Sequence, residues 1–167
     1  MFQDDSTQKS FNLLGISPEI LKRLTELRFV TPTPIQFKAI PVATSGEDVV
    51  GIAQTGSGKT LSFSIPMIQQ VMKSDKRGLV LLPTRELAIQ VEETIKKVGG
   101  PFGIRTAILI GGTSVGPQIR QLNAKPQIVV ATPGRLIDLV GQKRLSLSDV
   151  GMLVLDEADR MLDMGFA

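Results

Sequence analysis

The sequence predicts an α/β fold: a mostly parallel central sheet with helices on both faces. Three observations predict it. Short apolar segments alternate with helix-length segments from residue 48 onward. Those apolar segments, at 48–52, 78–82, 104–110, 127–131 and 151–155, are rich in Val, Ile and Leu without polar alternation, as expected of strands covered on both faces. Each is followed by a polar or glycine-bearing stretch that leads toward a helix or a turn. Strand–helix alternation implies right-handed crossovers and a parallel sheet. Ligands of such sheets bind beyond the carboxyl ends of the strands, so the stretches after the strands are expected to gather on one rim.

Taken in order, residues 1–10 are polar and read as a flexible tail. A short apolar piece, Phe11 with Leu13 and Leu14, precedes Gly15. Ser17-Pro18 reads as an N-cap with proline at the first helical position, and Ile20, Leu21, Leu24 and Leu27 share one helical stripe. Thr31-Pro32-Thr33-Pro34 breaks that helix. Thr33-Pro34 opens a second one over 35 to about 40, where Pro41 disturbs it. Further helices are expected at about 59–72, 84–98, 115–123 and 133–140. The segment 84–98 places Leu87, Val91, Ile95 and Val98 on one face, with Glu92, Glu93, Lys96 and Lys97 largely elsewhere, and Gly99-Gly100 ends it.

At 167 residues the chain has the length of one domain. Hydrophobic residues make up 42% and charged residues 21%, enough apolar material for a real core. The net charge of +3 is compatible with a polyanionic partner without demonstrating one. There is no Cys and no His. That excludes disulfides, thiolate sites, histidine bases and imidazole metal ligands. Any catalysis must use carboxylates, Lys, Arg, hydroxyls and bound metal. The polar N-terminus is unlike a secretory signal, and no apolar run approaches the ~18 residues of a membrane span. The expectation is a monomeric cytoplasmic protein with no membrane partner.

The chemistry centres on Ala53-Gln54-Thr55-Gly56-Ser57-Gly58-Lys59-Thr60. A predicted strand precedes it and a predicted helix follows it, the context a phosphate-binding loop requires. Gly56 and Gly58 let backbone N–H groups face inward. Those groups and the helix N-terminus suit an anion. Lys59 can reach terminal phosphates, and Thr60 can place a hydroxyl on Mg²⁺. Ala53 stands where the general pattern has Gly. The bland alternative is a glycine-bearing connector with a chance Gly-Lys-Thr. A second part follows the last predicted strand, where Asp156 and Glu157 are two successive carboxylates. Asp156 can hold Mg²⁺, a hard cation that prefers oxygen ligands. Glu157 can orient and deprotonate the water that attacks a γ-phosphate. Two acids at a helix start, favoured by its dipole, are the alternative.

Asp156-Glu157-Ala158-Asp159 spells the signature of the DEAD-box RNA helicases, and the chain resembles that family from about residue 11 to 166. Phe29 and Pro32-Thr33-Pro34-Ile35-Gln36 resemble its Q motif, with Phe11 as the isolated upstream aromatic. Residues 53–60 resemble motif I, and Pro83-Thr84-Arg85-Glu86-Leu87-Ala88 resembles motif Ia. Gly111-Gly112 and Thr132-Pro133-Gly134-Arg135 resemble the GG and Ib motifs.

The resemblance implies a RecA-like P-loop domain spanning 11–167 that binds ATP and Mg²⁺. Gln36, which carries an amide donor and acceptor, would pair with adenine N6 and N7 and select ATP over GTP. Phe29 would pack against the adenine ring. On the residues alone, the favoured reading is that Gln36 is an exposed polar position on a short helix and Phe29 a core residue. Pro83, Thr84, Arg85, Gly111, Gly112, Thr132, Pro133, Gly134 and Arg135 would hold the sugar-phosphate backbone of single-stranded or duplex RNA. Either Arg alone reads equally well as a helix-start salt bridge, and Gly111-Gly112 as a mere turn. Glu86 and Asp159 would tie motifs together through hydrogen bonds. With 4% aromatics and no Trp or Tyr, a base-stacking platform is not expected.

Two departures stand out. Arg28 occupies a position where the Q motif usually has Gly. The chain also stops at Ala167, before the Ser-Ala-Thr motif and the second RecA-like lobe. In the family that lobe supplies arginine fingers, worth roughly 10³–10⁵ in rate. The expectation is the N-terminal ATP-binding lobe of an RNA helicase, nearly inactive alone. The competing reading is a nucleotide-dependent RNA clamp that needs no hydrolysis. A GTPase or small-molecule kinase is disfavoured, because no Asn-Lys-x-Asp sequence is present.

Overall fold

The computed structural model describes residues 9–166; most of the expected flexible tail lies outside the described residues. Contacts divide the chain after Gln69 into two compact units.

The first unit is helical. Helix α1 (Pro18–Glu26) starts at the expected proline and buries Ile20 and Leu24. Ser17 precedes it in extended conformation, but its hydroxyl caps nothing. Instead the Ser17 N–H donates to Gln69 Oε1 at 2.7 Å, and Gln69 Nε2 donates to the Gly15 carbonyl at 3.0 Å. Helix α2 (Pro34–Thr44) runs through Pro41, correcting the expected end near 40. Its C-terminal turn is held by Thr44 Oγ1 donating to the Ile40 carbonyl at 2.8 Å and by Ser45 N–H donating to the Pro41 carbonyl. Helix α3 (Lys59–Lys73) follows.

The expected strand at 48–52 is absent. Residues 47–54 carry no regular structure, and Val50 and Ile52 are 93% and 94% exposed. A strand exists by virtue of its ladder partner, and no strand of the described chain pairs with this segment.

The second unit is a four-stranded sheet: β1 (Arg77–Leu81), β2 (Thr106–Leu109), β3 (Ile128–Ala131) and β4 (Val150–Leu155). The order is β2-β3-β1-β4 and every pairing is parallel. The crossovers carry α4 (Arg85–Gly99), α5 (Val115–Asn123) and α6 (Pro133–Gly141); α7 (Ala158–Asp163) follows β4. Leu79, Ala107, Leu109, Val129 and Ala131 form one core with Leu122, Leu136 and Leu139. Alternation along the strands leaves Val80, Ile128 and Val130, all buried, for the other face, and α4 packs against β2 and β3.

Two expectations shift here. Strand β4 is an edge, not a strand covered on both faces: Leu153 and Leu155 are more than half exposed. Glu92 is buried, not on an outer face. It accepts from Thr106 Oγ1 at 2.7 Å and pairs with Lys96 at 2.9 Å, which satisfies the charge that burial would otherwise penalise.

Candidate functional site

In the first unit, residues 53–58 form an irregular turn and α3 begins at Lys59. Gly56 and Gly58 both adopt positive φ, +80° and +86°, the region glycine enters without a Cβ penalty. Ser57 N–H donates to the Gln54 carbonyl at 3.2 Å. The first N–H groups of α3 have no intrahelical acceptor, and Lys59 and Thr60 stand at that end. The Ser57 hydroxyl is buried without a hydrogen-bond partner. A buried, unsatisfied hydroxyl inside a glycine turn at a helix N-terminus fits a phosphate oxygen as its missing partner.

Gln36 is buried, not an exposed polar position. Its Oε1 accepts from Thr33 N–H at 2.9 Å, and its Nε2 donates to the Gly58 carbonyl at 3.0 Å. A Cβ at Gly58 would collide with Gln36 Nε2 and approach Thr33 Oγ1 to 3.0 Å. Phe29 is 39% exposed and is no core residue. It follows Arg28, whose φ is +63°; the left-handed turn explains why glycine is usual there.

In the second unit, strands β1, β2 and β3 deliver three stretches to one rim. Thr84 caps α4, its hydroxyl accepting from Leu87 N–H at 3.3 Å, and Arg85 opens that helix. Gly112 has φ +70°, and the Arg85 guanidinium occupies the space a Cβ there would need. Thr132 precedes α6 and donates its N–H to the Leu109 carbonyl at 2.9 Å, with Pro133 at the first helical position. Arg135 donates from Nη1 to Gln118 Oε1 at 2.9 Å and from Nη2 to the Thr113 carbonyl at 3.3 Å. Neither Arg85 nor Arg135 forms an ion pair among the described residues, so the helix-start salt bridge is not what holds them.

All nine residues of 83–85, 111–112 and 132–135 line one open groove of about 660 Å³. Glu86, Asp138 and Phe166 line it as well. The two arginines therefore share the groove with two carboxylates, and attraction for an anion comes from the forked guanidinium donors and the N-termini of α4 and α6. Phe166 brings a single aromatic ring to the groove.

At the end of β4, Asp156 N–H donates to the Leu81 carbonyl at 3.0 Å, and Asp156 Oδ1 accepts from Glu157 N–H at 3.1 Å. Glu157 adopts φ +52° at the start of α7, and its carboxylate lies 3.5 Å from Arg160 Nη1. A left-handed non-glycine residue carries a cost of order 1–3 kcal/mol and recurs at functional sites. No group of three acidic, His or Cys side chains that could hold a metal occurs among the described residues. A single carboxylate such as Asp156 suits Mg²⁺ carried in with phosphate oxygens, since that ion keeps waters and uses few protein ligands. Glu86 and Asp159 make no hydrogen bond or ion pair through their side chains with another described residue.

Gln118, Thr113 and Asp138 were not singled out in the sequence. The available signal was a polar Gln118 on the stripe of α5 that Leu122 shares four residues on, where helical periodicity calls for an apolar side chain.

The family model described as DEAD/DEAH box helicase matches residues 33–167. A curated relative from Debaryomyces hansenii, the ATP-dependent rRNA helicase RRP3, is 49% identical over 161 residues, covering 95% of this chain and 34% of its own length. The protein of the same name from Yarrowia lipolytica is 46% identical over 167 residues, covering 98% of this chain and 35% of its own. The chain thus spans about a third of the length of the curated relatives it matches. Among solved structures, a DEAD box protein from the hyperthermophile Methanococcus jannaschii superposes with TM-score 0.86 at 43% identity, covering 94% of this chain and 44% of that one. The RNA helicase Prp28 from Chaetomium thermophilum, bound to ADP, superposes with TM-score 0.87 at 37% identity, covering 95% and 40%.

Proposed function

The chain belongs to the DEAD/DEAH box helicase family, and from that premise we propose that it is the N-terminal ATP- and RNA-binding lobe of an RNA helicase. In the longer protein this lobe would work with a second RecA-like lobe to couple ATP hydrolysis to duplex unwinding or RNP remodelling. The observation that carries the reading is the groove. Three separate stretches, each following a different parallel strand, line a single surface with two arginines and two helix N-termini. Contacts of that kind grip consecutive phosphates and carry no base information, so RNA would be held through its sugar-phosphate backbone.

The nucleotide roles follow the motifs. Backbone N–H groups of 54–58 and the start of α3 would cradle phosphates, with Lys59 reaching the terminal ones. Gln36 spends one N–H and one oxygen lone pair on Gly58 and Thr33. A primary amide has a second of each, enough to read adenine N6 and N7 while still tied to the loop. Half-exposed Phe29 would cover the ring. By their motifs, Thr60 and Asp156 are each proposed as a Mg²⁺ ligand; the ion supplies charge neutralisation on the phosphates when bound. Glu157 would orient the attacking water and accept its proton, after its carboxylate leaves Arg160.

The proposed setting is a monomeric, cytoplasmic protein. Alone, this chain would bind adenine nucleotide weakly and turn it over barely. A coupled ATPase assay with and without single-stranded RNA tests this. Turnover near background is expected in both, and robust RNA-stimulated turnover would overturn it. Competition with GTP tests the base assignment, with equal displacement by GTP counting against Gln36.

A further inference from the structure

Gln118 is 4% exposed and lies on α5, outside the three stretches that carry the groove arginines and glycines. Its bonds run to the groove arginine Arg135 and to the turn after β2. Its Oε1 accepts from Arg135 Nη1 at 2.9 Å, and its Nε2 donates to the Ile110 carbonyl and to Thr113 Oγ1, each at 2.9 Å. Arg135 then reaches the Thr113 carbonyl with Nη2 at 3.3 Å. One amide therefore joins the turn after β2 to the first turn of α6. A guanidinium on a flexible stem loses rotamer freedom when it binds a phosphate, and a partner that fixes it beforehand lowers that cost. The fork has five N–H donors, and two are spent here, so the rest remain for an anion.

We propose that Gln118 is a positioning residue for RNA: it touches no phosphate, and it pre-sets the Arg135 guanidinium and the Gly111-Gly112-Thr113 turn that do. The proposal rests on the reading of the groove as an RNA-backbone site. It also accounts for an uncharged polar side chain in the buried stripe of α5, where an apolar one would pack at lower desolvation cost.

The test measures binding of an oligouridylate by fluorescence anisotropy over a salt series, with the chain as given. Four variants are compared with the unmodified chain: Gln118→Met, Gln118→Glu, Arg135→Ala, and the Gln118→Met/Arg135→Ala double variant. Thermal melts run in parallel. Gln118→Met removes every polar bond at nearly constant volume, and Gln118→Glu keeps an acceptor for Arg135. The expected result is about tenfold weaker binding for Gln118→Met, the scale of one lost charge-assisted contact. Its log–log salt slope should fall by about 0.7, one single-strand phosphate contact. Gln118→Glu keeps its charge-assisted bond to Arg135 but sets a carboxylate oxygen against the Ile110 carbonyl, so it should lower the melting point yet weaken binding less than Gln118→Met does. In the Arg135→Ala background, Gln118→Met should add nothing, because the two act as one unit. A Gln118→Met protein with a lowered melting point but unchanged affinity and salt slope makes the residue a structural stitch and overturns the assignment alone. Binding unaffected by Arg135→Ala overturns the groove reading, and this assignment with it.

Discussion

The side-chain amide of Gln36 donates to the carbonyl of Gly58 at 3.0 Å, so the start of α2 and the end of the glycine loop are one hydrogen-bonded unit. The same side chain accepts from Thr33 N–H, as the second half of a capping box does. Replacement by Glu keeps the acceptor for Thr33 and turns the donor into a carboxylate facing a carbonyl. Gln36→Glu should therefore weaken nucleotide binding by at least about tenfold, the weight of one hydrogen bond made repulsive. Helix α2 should remain, as read by circular dichroism. Titration with a fluorescent ATP analogue decides it, and unchanged affinity would separate this amide from the loop's function.

Gly58 is constrained twice, by φ +86° and by the Gln36 amide in the space of a Cβ. Gly58→Ala should cost on the order of 1–3 kcal/mol through the strained backbone alone, and it should also abolish ATP binding. Gly56, at φ +80° with open space around it, serves as the control. Gly56→Ala should be the milder of the two in a thermal melt, and a reversed ranking would contradict the role given to Gln36.

These two residues mark how far the letters reach. The four strands of the sheet were legible because each coincides with a short apolar run. Leu79-Val80-Leu81-Leu82 and Ile128-Val129-Val130-Ala131 are apolar throughout and end at turn residues. The segment 48–52 has similar letters and is no strand, because pairing is a property of the sheet and not of the segment. The groove residues were legible because each follows a strand, and a parallel sheet puts all such ends on one side. Gln118 and Asp138 were not, since their roles depend on which side chain of another element lies opposite. The same holds for buried Glu92, whose partner Thr106 is 14 residues away.

Arg28 gives a stability prediction independent of function. It occupies the left-handed position directly after the C-cap of α1, at φ +63°, with its N–H donating to the Thr25 carbonyl at 2.9 Å. Only glycine takes that conformation freely. Arg28→Gly should stabilise the chain by about 0.5–1 kcal/mol, raising the melting midpoint by roughly 1–4 °C for a domain of this size. A lower midpoint would mean the Arg28 side chain contributes more than its backbone costs.

Asp138 lies in the groove with Arg135 and accepts from Gln142 Nε2 at 2.9 Å. A carboxylate beside a phosphate path repels it, and the repulsion is screened by salt. Asp138→Asn keeps the acceptor for Gln142 and removes the charge. Binding of single-stranded RNA should tighten by about two- to fivefold at low ionic strength, the effect of one partly exposed charge, and the gain should shrink as salt rises. Anisotropy titrations at two salt concentrations check both statements. Weaker binding in the variant would mean that Asp138 contacts the ligand favourably, and the phosphate path would then have to be drawn elsewhere along the rim.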